Sequence, residues 1–332
     1  MHLELVVPGL FDAGAAAPAL ELLLARGRAT AAAPAALEDW LARAFGLTGE
    51  GFPAGALTAL AHGLEPGKSV WLRADPVHLR ADRDRLLLVP GEAFDLDAAE
   101  AAQLAGALEP LLAGRFTLFG SRPRQWCLRA AGEPPAGAGA APPLALAGAD
   151  VDPQLPPRAW HLLLNEIQMA LYQHPVNTAR EARGEPVVNS VWLWGAGTLP
   201  AAASGPWQSV SAEDPAALGL ARLAGIRHRA PGTEAGEWLE RAPEDGRHLL
   251  ILGSLRGAHA LGGADEFAAR LLALEQRWCA PLLAALKAGR IGMVTVHAPE
   301  RGLSFETIRG DLRRFWRRPR PLSAYAVAGA RA

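Results

Sequence analysis

The sequence predicts an α/β fold: a doubly wound, mostly parallel sheet carrying a small inserted α+β module. Three observations predict it. From residue 215 to 296, short apolar runs alternate with amphipathic stretches, the order of strand–helix–strand units. Residues 187–194 are apolar on both faces, as in a strand covered on each side. Between residues 67 and 130 closely spaced strands surround one helical stretch, which marks a separate module.

The elements follow in order. Residues 3–7 form an apolar strand that runs into Pro8-Gly9 and an Ala/Leu-rich helix ending near Arg26. A second helix, 35–45, follows Pro34, a residue suited to a first helical turn. Strand 69–73 pairs with strand 85–89 across Asp82-Arg83-Asp84, and helix 97–112 opens on an acidic cap. Strands 115–119 and 125–129 complete the module, and the Gly/Ala/Pro-rich segment 131–157 reads as a surface loop. Trp160, Leu163, Leu164, Ile167 and Leu171 then fall on one helical face. Strand 187–194 is expected to be central and parallel, followed by helix 215–223, strand 248–252, helix 265–286 and strand 291–296. Residues 1–66 and 158–332 therefore make the core and 67–130 the insert.

Composition narrows the function. The chain has 332 residues, half of them apolar and a fifth charged, with a formal charge of −1, so no global field draws in nucleic acid or an anionic membrane. The first ten residues lack the basic and long apolar regions of a signal peptide, and no run has the length of a membrane helix. Cys127 and Cys279 stand far apart beside tryptophans, which suits free, buried thiols in a reducing compartment, and a cytoplasmic location is expected.

Two dense patches carry a resemblance. Asn165-Glu166-Ile167-Gln168-Met169 and His174-Pro175-Val176-Asn177-Thr178-Ala179-Arg180 precede Asn189-Ser190-Val191-Trp192-Leu193-Trp194-Gly195-Ala196-Gly197. This order resembles archaeal-type cofactor-independent phosphoglycerate mutases of the alkaline phosphatase superfamily. The same Asn-Glu-Ile-Gln-Met and Asn-x-x-Trp-x-Trp-Gly elements are similar to those of RpfE-type regulatory proteins. The resemblance implies an alkaline-phosphatase-like fold and, in the family, catalysis by one nucleophile and two metal ions. It places Pro8 where the first metal ligand belongs, Ala54 at the nucleophile and Gly55 at the adjoining carboxylate. Asp150-Val151-Asp152-Pro153 matches an Asp-x-Asp-Pro element faintly, and His297 keeps one later ligand while its acidic neighbour is Val296.

In-line phosphoryl transfer of this kind needs an activated oxygen and two ions held by carboxylates and imidazoles. A chain without the nucleophile and several carboxylates is expected to be catalytically inactive, with a regulatory or anionic-ligand-sensing role and no cofactor. The alternative is an active phosphotransferase or mutase with a rearranged metal site, bound to Mn²⁺ or Zn²⁺ through Asp12 and His297 with Asp75 as a further member.

The candidate ligand-binding residues are Arg73, Asp75, His78, Asn165, Gln168, Arg180, Asn189, Gly195 and Gly197. Arg73 suits an anion through its planar fork, and Asp75 can orient Arg73 or His78; a salt-bridged strand end turning at Pro76 is the competing reading. Asn165 and Gln168 lie off their helix's apolar stripe and can line a cleft or a contact face. Asn177 is expected to cap a helix, and Arg180 either pins that helix to Glu166 or meets a ligand. Asn189 inside an apolar strand needs hydrogen bonds, from a loop or in a pocket. Gly195-Ala196-Gly197 allows backbone N–H groups to approach an anion. The tail Arg313-Arg314-Phe315-Trp316-Arg317-Arg318-Pro319-Arg320 is expected to dock its aromatics and leave its arginines solvated. A binding module for protein or nucleic acid through that tail is a third reading, nucleic acid being the less expected partner.

Overall fold

Leu3, Leu5 and Val7 alternate with His2, Glu4 and Val6, and because Val6 is fully buried and Glu4 only 5% exposed the first strand is covered on both faces. In the computed structural model, which describes residues 1–328 except Ala13, Glu50, Asp84, Gly139 and Ala140, this strand lies inside a seven-stranded sheet. The chain forms two units, Met1–Thr48 with Ala202–Ala332, and Gly49–Ala201.

The first unit begins with β1 (His2–Val6), α1 (Pro18–Arg26), β2 (Arg28–Ala31) and α2 (Leu37–Ala44). The second contains α3 (Ala54–Ala61), β3 (Trp71–Asp82), β4 (Arg85–Pro90), α4 (Ala98–Leu112), β5 (Phe116–Phe119) and β6 (Cys127–Ala130). It continues with α5 (Arg158–Leu171), α6 (Pro175–Ala182) and β7 (Ser190–Gly197). The chain then returns to the first unit through β8 (Ser209–Ala212), α7 (Pro215–Leu223), β9 (Arg227–Arg229), α8 (Ala235–Arg241) and β10 (Arg247–Ile251). There it ends with α9 (Ala258–Leu274), α10 (Ala280–Ala288), β11 (Met293–Ala298), β12 (Leu303–Ile308) and α11 (Ser323–Ala328).

In the first unit the sheet order is β2-β12-β11-β1-β10-β8-β9. Strands β11, β1, β10, β8 and β9 are parallel, while β12 and β2 add antiparallel at one edge. The mostly parallel sheet of the α/β class is therefore present. Between α9 and α10 lies a π-helical turn, Glu275–Cys279. Its Glu275 carboxylate accepts the Ala19 and Leu20 N–H groups at 2.6 and 3.2 Å, capping the open end of α1.

The second unit is built on an antiparallel sheet in which β3 runs the full length, pairing with β6 and β4 on one side and β7 on the other. It takes in residues 67–130 together with α3, the segment 131–157, α5, α6 and β7. Two expectations change here. Strand 187–194 is not a central parallel strand: β7 pairs antiparallel with β3. Its apolar run has another cause. Trp192 and Trp194 pack with Ala54 on one face, and Val191 and Leu193 pack beneath α5 on the other. Nor does β3 turn at Pro76. Residues 73, 75 and 77 direct their backbone groups to β7, so the missing Pro76 N–H faces the opposite edge, in the gap between β6 and β4.

The segment 131–157 is more than a surface loop. Leu146 and Val151 are buried against the sheet, and Asp150 Oδ1 accepts the Leu86 N–H at 3.2 Å. Asp84, the second acid of the expected hairpin turn, lies outside the described residues. Both cysteines are free and buried, and burial pushes the Cys127 thiol up to about 12. No helix among the described residues is long and apolar enough to cross a membrane.

Candidate functional site

Helix α3 lies flat on the sheet of the second unit because three glycines remove the atoms that would hold it away. A Cβ at Gly55 would stand 2.5 Å from the Leu72 backbone. One at Gly195, whose φ is +60°, would stand 2.5 Å from the Ala54 Cβ, and one at Gly197 would meet Pro53 at 2.8 Å. Gly195 and Gly197 therefore serve the close approach of a helix rather than an open anion cradle. Ala54 itself is fully buried.

Beneath α3 sit Arg73 and Asp75, each only 5% exposed. The Arg73 Nε and Nη2 donate to Asp75 Oδ1 at 2.9 and 2.5 Å, and Nη1 donates to Thr58 Oγ1 at 3.2 Å. Trp194 Nε1 donates to Asp75 Oδ2 at 2.7 Å, and its ring lies under the guanidinium at 5.4 Å. Burial raises the Asp75 carboxyl to about 6 against the pull of Arg73. The pair is thus an internal ion pair, and Arg73 does not present its fork to a ligand.

His78 turns Nδ1 to the Val187 carbonyl at 3.0 Å, and burial lowers its pKa. Arg180 is 1% exposed and holds Glu100 at 2.5 Å, the Asp95 carbonyl at 2.7 Å and the Pro186 carbonyl at 2.8 Å. Its partner is not Glu166, which pairs with Arg115 at 3.1 Å. Asn177 is not the cap of α6: His174 Nδ1 accepts the Val176 N–H there. Asn177 instead joins the end of α5 to the approach to β7, donating to Leu171 and Val188 carbonyls and accepting the Val188 N–H.

Three expected residues do come together. Asn165, Gln168 and Asn189 border two adjoining cavities of about 130 and 800 Å³ between α5, α6 and the outer edge of β3. Gln168 lines both, while Gln173 (φ +60°), Asn177 and Glu181 join the larger one. Five of the lining residues carry side-chain amides, and among the described residues of the lining there is no lysine or arginine. Asn189 Oδ1 accepts the Leu79 N–H at 2.7 Å and its Nδ2 donates to the Leu79 carbonyl at 2.8 Å. A side-chain amide therefore continues the ladder where β7 stops. Leu86 spends its N–H on Asp150 and its carbonyl on Val151, so its register partner Ala81 turns N–H and C=O to the opposite edge, beyond Asn189. The sequence signalled α5's polar face, but this free edge depends on where β7 ends, which the pattern does not encode.

In the first unit, Asp12 and His297 belong to different surroundings. His297 Nδ1 meets Ser304 Oγ at 2.8 Å, Nε2 lies 3.5 Å from Glu4, and its ring packs on Trp40. Asp12 lies by Gly9, whose N–H donates to Glu300 Oε2 at 3.3 Å, and burial raises the pKa of both acids. Among the described residues no three His, Cys, Asp or Glu side chains converge to hold a metal ion. These residues do not fit a two-metal centre.

Comparison with protein-family models and with curated proteins gives no match. The fold is similar to that of the PH0037 protein from Pyrococcus horikoshii, with a TM-score of 0.55 at 15% identity, covering 92% of this chain and 87% of that one. A cofactor-independent phosphoglycerate mutase from Thermoplasma acidophilum aligns with a TM-score of 0.41 at 18% identity, over 93% of this chain and 90% of its own. The first likeness is one of fold; the second, at that score, adds nothing to it.

Proposed function

We propose that this chain is a catalytically inactive relative of the cofactor-independent phosphoglycerate mutases and acts by binding an extended, uncharged peptide segment. Ala54 carries the first half. It stands where the resemblance places the nucleophile, has no oxygen in its side chain, and is fully buried with its Cβ against Gly195. Phosphoryl transfer by this route has no attacking atom there.

The amide-lined groove supports the second half. A peptide laid along the edge at Ala81 extends the β3 ladder, and Gln168, Gln173 and Asn165 are placed to hydrogen-bond its side chains or backbone. Leu79, Leu171 and Val187 offer apolar floor. With Glu181 as the charged residue of the lining, a phosphorylated acid gains nothing in this groove. A regulatory role, as the resemblance implies, follows from such a partner.

Saturation-transfer NMR with N-acetyl-Val-Leu-Val-amide and with 3-phosphoglycerate tests this. The blocked peptide is expected to give transfer that falls at least several-fold in the Asn165→Ala/Gln168→Ala double variant, whose exposed sites leave folding unchanged. Transfer to 3-phosphoglycerate alone, unaffected by those substitutions, would overturn the assignment.

A further inference from the structure

The C-terminal segment departs from its expected form in one respect that bears on function. Its aromatics are not docked: Phe315 is 78% and Trp316 67% exposed, their rings edge-on to one another at 5.3 Å. The backbone around them is nevertheless fixed. The Arg26 side chain donates to the Leu312 carbonyl, Arg314 donates to the Arg26 carbonyl at 3.2 Å, and Arg317 donates to the Gly27 carbonyl at 2.8 Å. These bonds tie residues 312–317 to the end of α1 and so hold two apolar rings in water, which packing alone does not explain.

Beside them lies a cleft of about 890 Å³ bordered by Arg28, Arg314, Arg317, Arg318, Arg320 and Trp316. Among the described residues that line it there is no carboxylate. Arg314 has Asp311 at 2.7 Å as partner, whereas Arg28, Arg318 and Arg320 are exposed residues on β2 and the tail. In a chain of formal charge −1, five guanidinium groups around one cleft are a strong local concentration of positive charge.

We infer that this cleft binds single-stranded nucleic acid, with Arg28, Arg318 and Arg320 on phosphates and Trp316 as a stacking platform for a base. Charge alone suits any polyanion. The exposed rings decide between them, because a base offers a π-face to each ring and an acidic peptide does not. Guanidinium forks match phosphate oxygens bidentately, which fixes the backbone while the rings take bases of any sequence. The site lies wholly in the first unit and is independent of the peptide groove.

Fluorescence anisotropy of a labelled oligothymidylate with the full chain tests this. Saturable binding is expected, weakening with salt at a log–log slope near −2, since each of three phosphate contacts contributes about −0.7. Arg318→Ala/Arg320→Ala should reduce that slope by about 1.4. Trp316→Ala should weaken binding about ten-fold and leave the slope unchanged, the signature of a lost stack rather than a lost charge. Three results would overturn the inference: no binding at low salt, an unaffected Trp316→Ala variant, or equal affinity for polyglutamate. The last two would mean that the cleft holds any polyanion by charge alone and does not stack a base.

Discussion

Replacing Asp75 by alanine is expected to destabilise the second unit by about 3–5 kcal/mol, because it leaves the Arg73 guanidinium charged and buried without its counter-ion. Thr58 and the Arg124 carbonyl remain as acceptors but neutralise nothing. The double replacement Arg73→Met/Asp75→Leu should recover most of that loss, since an apolar pair of similar volume has no charge to desolvate. Denaturant titration of the three proteins measures both effects. The pH dependence follows from the same burial. The folded carboxyl titrates near 6 and the unfolded one at its ordinary 3.8, so between these values the native state holds the extra proton. Stability from this group is therefore present at low pH and lost as pH rises from about 4 to 6, the reverse of the usual surface carboxylate. The double variant should lack that slope. If Arg73 instead served an incoming anion, Asp75→Ala would strengthen anion binding and cost little stability.

Gly55→Ala should destabilise by roughly 3 kcal/mol, at the upper end for overpacking, because the added methyl meets Leu72 N, Cα and C at 2.5–2.6 Å and a strand backbone cannot yield as a side chain does. Gly106→Ala in α4 is the matching control. A Cβ there meets nothing within 4 Å, so alanine should stabilise by about 0.5–1 kcal/mol through helix propensity alone. Thermal unfolding of the pair separates the two causes. A neutral Gly55→Ala would mean that α3 does not rest on β3 and that Ala54 is not locked against Gly195.

The first unit was largely legible because its signals are local. Alternating apolar runs and helical stripes place α7, β10 and β11 within a residue or two, and Asp97 caps α4 by accepting the Glu100 N–H at 2.7 Å as its position suggests. Strand β7 was misread because burial on both faces looks the same whether the covering helices belong to a parallel crossover or, as here, to α3 and α5 packed on an antiparallel edge. Helix α3, rich in Ala and Gly, has too weak a pattern to stand out, although it explains Gly55, Gly195 and Gly197 together. Among the candidate site residues, the resemblance and the planar fork point Arg73 to an anion, and spacing leaves Arg180 between a helix contact and a ligand. Their partners, Asp75 two residues on and Glu100 eighty residues away, differ in how visible they are to sequence. The preceding acids and the near-neutral chain point to a docked Trp316; its exposure is a tertiary fact.

The most direct test of the central claim is turnover of 3-phosphoglycerate by the purified full chain with excess Mn²⁺. The absence of a hydroxyl at Ala54 and of converging carboxylates in the described residues predicts a rate equal to that of Mn²⁺ in buffer. Mn²⁺-dependent conversion that co-elutes with the protein and scales with its concentration would contradict it, and would require a nucleophile other than residue 54.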